Sequence, residues 1–182
     1  AAEARARAES DRQLRLQLAE IRAGQQGGKP PPKEIIAQNN LRNTLIPKIE
    51  EALPVLDRLN REGKWNTMTT LLAVDPRAAE LQFRDDPEAL NLVLTLAYFR
   101  SKEFETAGKA LTTREDKILA PIVRGDLRAY EGIRNAMESG LKTLRSEQKG
   151  LEANYPFIKT YNETLRGEEE VAAPPAPASS RT

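Results

Sequence analysis

Between Glu34 and Asn60 the aliphatic side chains fall at helical intervals: Ile35, Ile36, Leu41, Leu45, Ile49, Leu53, Leu56 and Leu59. A stripe spaced by three and four residues lies on one face of an α-helix and has to be buried against a neighbour. The same spacing returns along the rest of the chain. No stretch alternates apolar and polar positions with β-branched residues, as a half-buried strand would. Together these patterns predict an all-α fold, an antiparallel four-helix bundle with an amphipathic N-terminal arm and an extended C-terminal tail. Residues 1–33 are the arm and its Gly/Pro linker, 34–150 the bundle, and 151–182 a short helical segment and the tail.

Prolines and glycines set the expected boundaries. Pro47 and Pro54 each remove a backbone donor and crowd the preceding turn, so the first helix is expected to kink or restart near Pro47. Gly63 ends it. A second helix is expected from Lys64 to about Phe83, weak at Asp75-Pro76, where Asp75 caps and Pro76 takes the first helical position. Asp86-Pro87 repeats that grammar. It opens the most apolar helix, marked by Leu90, Val93, Leu94, Leu96, Ala97 and Phe99, which continues to Leu111 with a bend near Ser101.

A fourth helix is expected from Thr113 to Glu147, with Thr113 and Asp116 as a capping box. Ile118, Ile122, Leu127, Tyr130, Ile133, Met137, Leu141 and Leu144 keep helical spacing through it, while Pro121, Gly125 and Gly132 weaken it locally. The tail "GEEEVAAPPAPASSRT" lacks apolar mass and is expected to be extended or disordered. The Asp57–Arg61 spacing permits an ion pair one turn apart.

Ahead of the linker, residues 3–23 read as a short amphipathic helix. Leu14, Leu18 and Ile21 share one face; Arg12, Arg15 and Arg22 lie on another. Such a helix is marginal alone in water. These six residues are the expected partner-binding set, and a frayed terminus is the alternative. The Ala-rich start without a Met is expected to reflect a removed targeting peptide, with a trimmed sequence as the alternative.

Composition narrows the chemistry. The chain has no Cys and no His. Disulfides, thiol nucleophiles, thiolate and imidazole metal ligands and the commonest general base are thereby removed. Lys and Arg total 28 against 27 Asp and Glu, so a net charge of +1 gives no global pull toward nucleic acid or an anionic membrane. There is no glycine-rich phosphate loop, no Gly-x-Ser-x-Gly elbow and no EF-hand spacing. The carboxylate pairs Glu50-Glu51, Asp85-Asp86 and Glu168–Glu170 fall on a solvated face, at a cap or in the tail. No apolar run approaches the roughly 20 residues that span a bilayer. The expectation is a protein without catalytic residues, metal, cofactor or small-molecule substrate, without nucleic-acid binding and without a direct membrane span.

The single tryptophan, Trp65, follows the glycine break in "REGKWNTMTTLLAVDP". It is expected in the core, its indole N–H bonded to a carbonyl near Leu59; an exposed partner platform is the alternative. Residues 89–111, with Leu94, Tyr98, Ala107 and Leu111, look like one tetratricopeptide unit.

The main body has a Pro-rich lead-in, "GGKPPPKEI", the Lys64-Trp65 dipeptide after a turn, and expected helices at about 34–60, 64–84, 87–112 and 114–146. In this layout it resembles the Q-type extrinsic (oxygen-evolving enhancer) subunits of photosystem II. The resemblance implies a non-catalytic subunit, peripheral in the chloroplast thylakoid lumen, whose partners are subunits of a large membrane protein complex. It would dock on the lumenal face of photosystem II and stabilise the oxygen-evolving site, helping to retain calcium and chloride without ligating them. The alternative is a tetratricopeptide-like helical adaptor, or a supernumerary subunit of another assembly such as a mitochondrial respiratory complex.

Overall fold

The structure, a computed structural model, describes residues 31–172, with side chains described as far as Gly167. Among the described residues every regular element is helical and none is a strand. The described residues form eight α-helices: α1 (Lys33–Arg61), α2 (Trp65–Val74), α3 (Pro76–Gln82), α4 (Pro87–Phe99), α5 (Lys102–Ala107), α6 (Thr113–Arg124), α7 (Tyr130–Asn154) and α8 (Pro156–Ala172). A 3-10 turn, Gly108–Ala110, extends α5.

Helix α1 runs through Pro47 and Pro54 without a break. Both prolines face solvent, and the buried stripe of Leu41, Leu45, Ile49, Ala52, Leu56 and Leu59 holds the helix together across them. Its end is built by Gly63, at φ 71°. The Gly63 N–H donates to the Asn60 carbonyl at 3.1 Å and the Lys64 N–H to the Leu59 carbonyl at 2.8 Å. That pair of bonds is a Schellman stop, which needs a left-handed residue at the glycine position.

The expected helices divide further than their apolar spacing suggested. Asp75 is extended, and its carboxylate accepts from the Arg77 N–H at 3.0 Å, so α2 and α3 are separate. Asp86 caps α4 by accepting from the Ala89 N–H at 3.0 Å. Helix α4 stops at Phe99 instead of running to Leu111. Ser101 starts a new helix, accepting from the Phe104 N–H at 3.1 Å and donating to the Tyr98 carbonyl at 2.7 Å.

The long helix expected over Thr113–Glu147 is two helices, parted at Gly125–Ala129. A Cβ on Gly125 would stand 2.5 Å from the Pro121 carbonyl oxygen, so only glycine fits this exit. The capping box lies one residue earlier than expected. Thr112 accepts from the Glu115 N–H at 3.3 Å, and the Glu115 carboxylate accepts from the Thr112 N–H at 2.7 Å. Thr112 has the extended backbone a cap needs, while Thr113 is already helical. Helix α7 continues past Glu147 to Asn154, and α8 carries residues 167–172, expected in the extended tail, as helix. Residues 1–30 of the expected arm and linker, and residues 173–182, lie outside the described residues.

The described residues fall into two compact units. In Lys33–Lys149, Leu45, Ile49, Leu56, Leu59, Met68, Val93, Leu96, Leu119, Ile122, Met137 and Leu144 are fully buried in one core. Side-chain bonds fix the helix directions. Lys48 lies over the Tyr98 ring, Asn91 donates to Glu51, and Arg58 donates to Asp86, so α4 runs antiparallel to α1. Gln148 donates to Asn39, Arg145 to Glu50 and Arg134 to Asp57, so α7 is antiparallel to α1 as well. In the other unit the end of α7 and helix α8 are tied through Glu152. Its carboxylate accepts from Asn162 Nδ2 at 2.7 Å and Arg166 Nη2 at 2.6 Å, and Leu151, Ile158 and Tyr161 are buried.

Candidate docking site

Several charged groups of Lys33–Lys149 are consumed in holding helices in register. Arg58 grips Asp86 with two parallel bonds at 2.8 and 2.9 Å. Arg42 and Glu115 meet at 2.7 Å with almost no exposure. Asp57, expected to pair with Arg61 along its own helix, instead takes the Tyr130 hydroxyl at 2.6 Å and Arg134 Nε at 2.9 Å, both from α7. A partner across the interface brings a hydrogen-bonding fork to a half-buried carboxylate, which an exposed neighbour one turn away does not. Tyr130 in turn sets its ring at 6.1 Å and 74° from Trp65, which is buried as expected. The expected bond from the indole N–H is not formed. Trp65 Nε1 is buried without a partner, and the Leu59 carbonyl serves the Lys64 N–H of the helix stop.

These contacts carry a pH signature. The Tyr130 hydroxyl bond, aided by Arg134 and opposed by burial, holds the Asp57 carboxyl below its ordinary range. Arg58 and the Ala89 N–H do the same for Asp86. A carboxylate with a depressed folded-state pKa contributes stability that is fully present above its unfolded value of about 3.9 and is lost as pH falls through the folded value. The chain has no histidine, the side chain whose ordinary pKa lies nearest neutrality. The melting temperature is therefore expected to be flat from about pH 5.5 to 7.5 and to fall steeply below about pH 4. Asp57→Asn should flatten part of that acid limb when melting is followed by circular dichroism across pH. An acid limb of unchanged slope would remove Asp57 from this account.

One face of α7 is not consumed in this way. Leu53 of α1 and Glu138, Leu141, Lys142, Arg145, Ser146 and Lys149 of α7 line an open groove of about 570 Å³. The α7 residues recur at intervals of three and four, so they form a single stripe along the helix. Leu141 is nearly buried and Leu53 half-buried, and together they make an apolar floor. Arg145 is fastened across the floor to Glu50 by its Nε, at 3.1 Å, and its Nη2. Glu138 is engaged by Arg134 at 3.0 Å. Lys142 and Lys149, both exposed, have no such engagement among the described residues. Elsewhere on this unit Val74, Leu81 and Leu94 stand in solvent, at 82%, 66% and 45% exposure. Leu94, read as part of the most buried helix and of a tetratricopeptide packing position, thus points outward.

No protein-family model, no curated protein and no solved structure matches this chain.

Among the described residues, no helix is long and apolar enough to cross a membrane, and no group of three or more acidic side chains is placed to hold a metal ion. The expected partner-binding residues Arg12, Leu14, Arg15, Leu18, Ile21 and Arg22 lie outside the described residues. The groove was missed in the sequence because Leu53 and Leu141 sit on the apolar stripes of their helices and read as ordinary core. The legible signal was the basic series Lys142, Arg145, Lys149 on the same helical face.

Proposed function

We propose that the protein is a non-catalytic subunit that docks on a larger assembly, with the groove along α7 as its contact surface. The observation that carries this reading is an open groove along α7 whose lining combines the leucines Leu53 and Leu141 with the exposed lysines Lys142 and Lys149. A groove with an apolar floor and a few placed polar groups is the form a recognition surface takes. The exposed Val74, Leu81 and Leu94 would add apolar contact on the α2–α4 side. The arm, through Leu14, Leu18 and Ile21 on one face and Arg12, Arg15 and Arg22 on another, would extend the docking area.

In the fuller form of this reading the unit is an antiparallel four-helix bundle similar to the Q-type extrinsic subunits. It would sit in the thylakoid lumen on photosystem II and stabilise the oxygen-evolving site. Its Pro-rich lead-in and Lys64-Trp65 after a turn support that form. The second reading, a helical adaptor or a supernumerary subunit of another complex, draws on the α4–α5 hairpin. There Tyr98, Phe99 and Phe104 pack as an aromatic triad across a tight turn, much as paired helices of a repeat do.

Affinity purification of the tagged protein from its native membranes, in mild detergent, decides among these. The expected result is a fixed stoichiometry with the subunits of one large complex. Photosystem II subunits favour the first form and respiratory subunits the second. Recovery of the protein alone, from membranes that retain their intact complexes, would overturn the docking function.

A further inference from the structure

We infer that the buried stripe of α8 is the seat of the chain's own N-terminal arm, which lays Leu14, Leu18 and Ile21 against Ile158, Tyr161 and Leu165 as an intramolecular helix pair. Ile158, Tyr161 and Asn162 are 1%, 5% and 2% exposed, and Leu165 is half-buried. At about 100° per residue these positions fall within one arc of about 100° on α8. Burial of that arc requires a neighbour along the whole stripe. The end of α7 supplies part of it. Glu152 accepts from Asn162 and Arg166, so residues 150–154 lie against the Asn162 rim of the arc. That segment rises only about 7 Å. Tyr161 stands at the opposite rim, about 100° round the helix from Asn162. Among the described residues of this unit, α8 has no helical neighbour other than the end of α7.

Residues 173–182 do not suit the place, because their only apolar side chains are alanines and prolines. The arm does. Leu14, Leu18 and Ile21 recur at four and then three residues; Ile158, Tyr161 and Leu165 recur at three and then four. Each stripe covers about two turns, roughly 10 Å, and read in opposite directions the two spacings coincide. Tethering brings the arm within reach. Gln148 donates to Asn39 at 2.6 Å, so the chain enters the unit Lys33–Lys149 and leaves it at the same end. The linker, residues 24–32, reaches at most about 30 Å from that end. It holds the arm at high effective concentration near the segment that leads into α8. A helix that is marginal alone in water gains there the apolar partner it lacks. The apolar stripe is then used within the chain. The arm's share of the docking area falls to Arg12, Arg15 and Arg22 on its other face.

Hydrogen exchange of the full chain, followed by mass spectrometry, tests the pairing from the side of α8. Residues 156–167 are expected to exchange about tenfold faster in Leu18→Asp than in wild type, the scale set by the burial of one leucine. Residues 33–149 should exchange as before. Arg15→Asp, on the arm's other face, should leave α8 protected. Unchanged exchange of α8 in Leu18→Asp, or an equal loss of protection in Arg15→Asp, overturns the inference.

A second measurement leaves both apolar stripes intact. The chain has no cysteine of its own, so Gln13→Cys with Thr164→Cys takes one spin label on each element. Pulsed electron resonance is expected to give a single distance of about 15–30 Å, as labels on helices packed about 8–10 Å apart would. Excess unlabelled chain should leave that distance unchanged. A broad distribution, or loss of the short distance on dilution with unlabelled chain, overturns the inference; the latter would make the contact one between two copies.

Discussion

Glu115→Gln is expected to cost about 3–5 kcal/mol, the range for removing one partner of a buried ion pair. Arg42 and Glu115 are 2% and 1% exposed, and Arg42 Nε donates to Glu115 Oε1 at 2.7 Å. The other carboxylate oxygen accepts from the Thr112 N–H at 2.7 Å, so the one side chain both neutralises the guanidinium and closes the capping box of α6. Glutamine keeps the shape and removes the charge, leaving a buried cation uncompensated. The cation is already under-served, because Arg42 Nη1 is buried without a hydrogen-bond partner. Removing both charges together is different. Arg42→Met with Glu115→Leu should recover most of the loss, since desolvating two ions roughly offsets their attraction. The unrecovered part should be about 1 kcal/mol, for the lost cap on the Thr112 N–H. Urea denaturation of Arg42→Met, Glu115→Leu and the double variant closes the cycle. A coupling energy below about 1 kcal/mol would mean the pair behaves like a surface contact and the burial argument is wrong.

This pair also marks how far the sequence could be read. The capping boxes and stops are local chemistry, and they were legible. Asp75-Pro76 and Asp86-Pro87 each place a side-chain acceptor ahead of a residue with no N–H to satisfy, and both cap their helices in that way. The box on α6 was displaced by one residue, because Thr112 and Thr113 offer the same hydroxyl and only the backbone angles distinguish them. The breaks at Arg100-Ser101 and Gly125–Ala129 were harder to read. Apolar spacing continues through both, and their cause is a serine cap in one case and a close approach to the Pro121 carbonyl in the other.

Nothing local pairs Arg42 with a glutamate 73 residues away, or draws Asp57 from Arg61 toward Tyr130 and Arg134. Those choices follow from the packing of α1 against α6 and from its antiparallel register with α7, a tertiary outcome that the helical periods permit without specifying. The groove belongs to the same class. A leucine on an apolar stripe reads as core, and only the tertiary structure shows whether it is enclosed or floors a groove. Leu94 illustrates the point on α4, where an aliphatic run on several sides leaves one member in solvent.

The other large effect is expected at Trp65. Trp65→Ala should cost about 3–5 kcal/mol, the range for large aromatics truncated in cores. The side chain is 2% exposed at the first turn of α2, directly after the Gly63 stop, so the tight turn delivers the ring into the space between helices. Its edge meets Tyr130, whose hydroxyl holds Asp57. Truncation would therefore open a cavity and also loosen the ring that carries the α1–α7 hydrogen bond, with the aromatic contact itself contributing about 0.5–1.5 kcal/mol. Trp65→Phe separates the two parts of the residue. It keeps much of the apolar ring and removes an indole N–H that is buried without a partner. An unsatisfied buried donor costs about 1–3 kcal/mol, so its removal should offset much of the lost volume and leave Trp65→Phe within about 1.5 kcal/mol of wild type. Circular dichroism melts of both variants give the comparison, since neither retains tryptophan fluorescence. Near-wild-type stability of Trp65→Ala, combined with loss of binding to the native complex, would make Trp65 a recognition residue and not a core one.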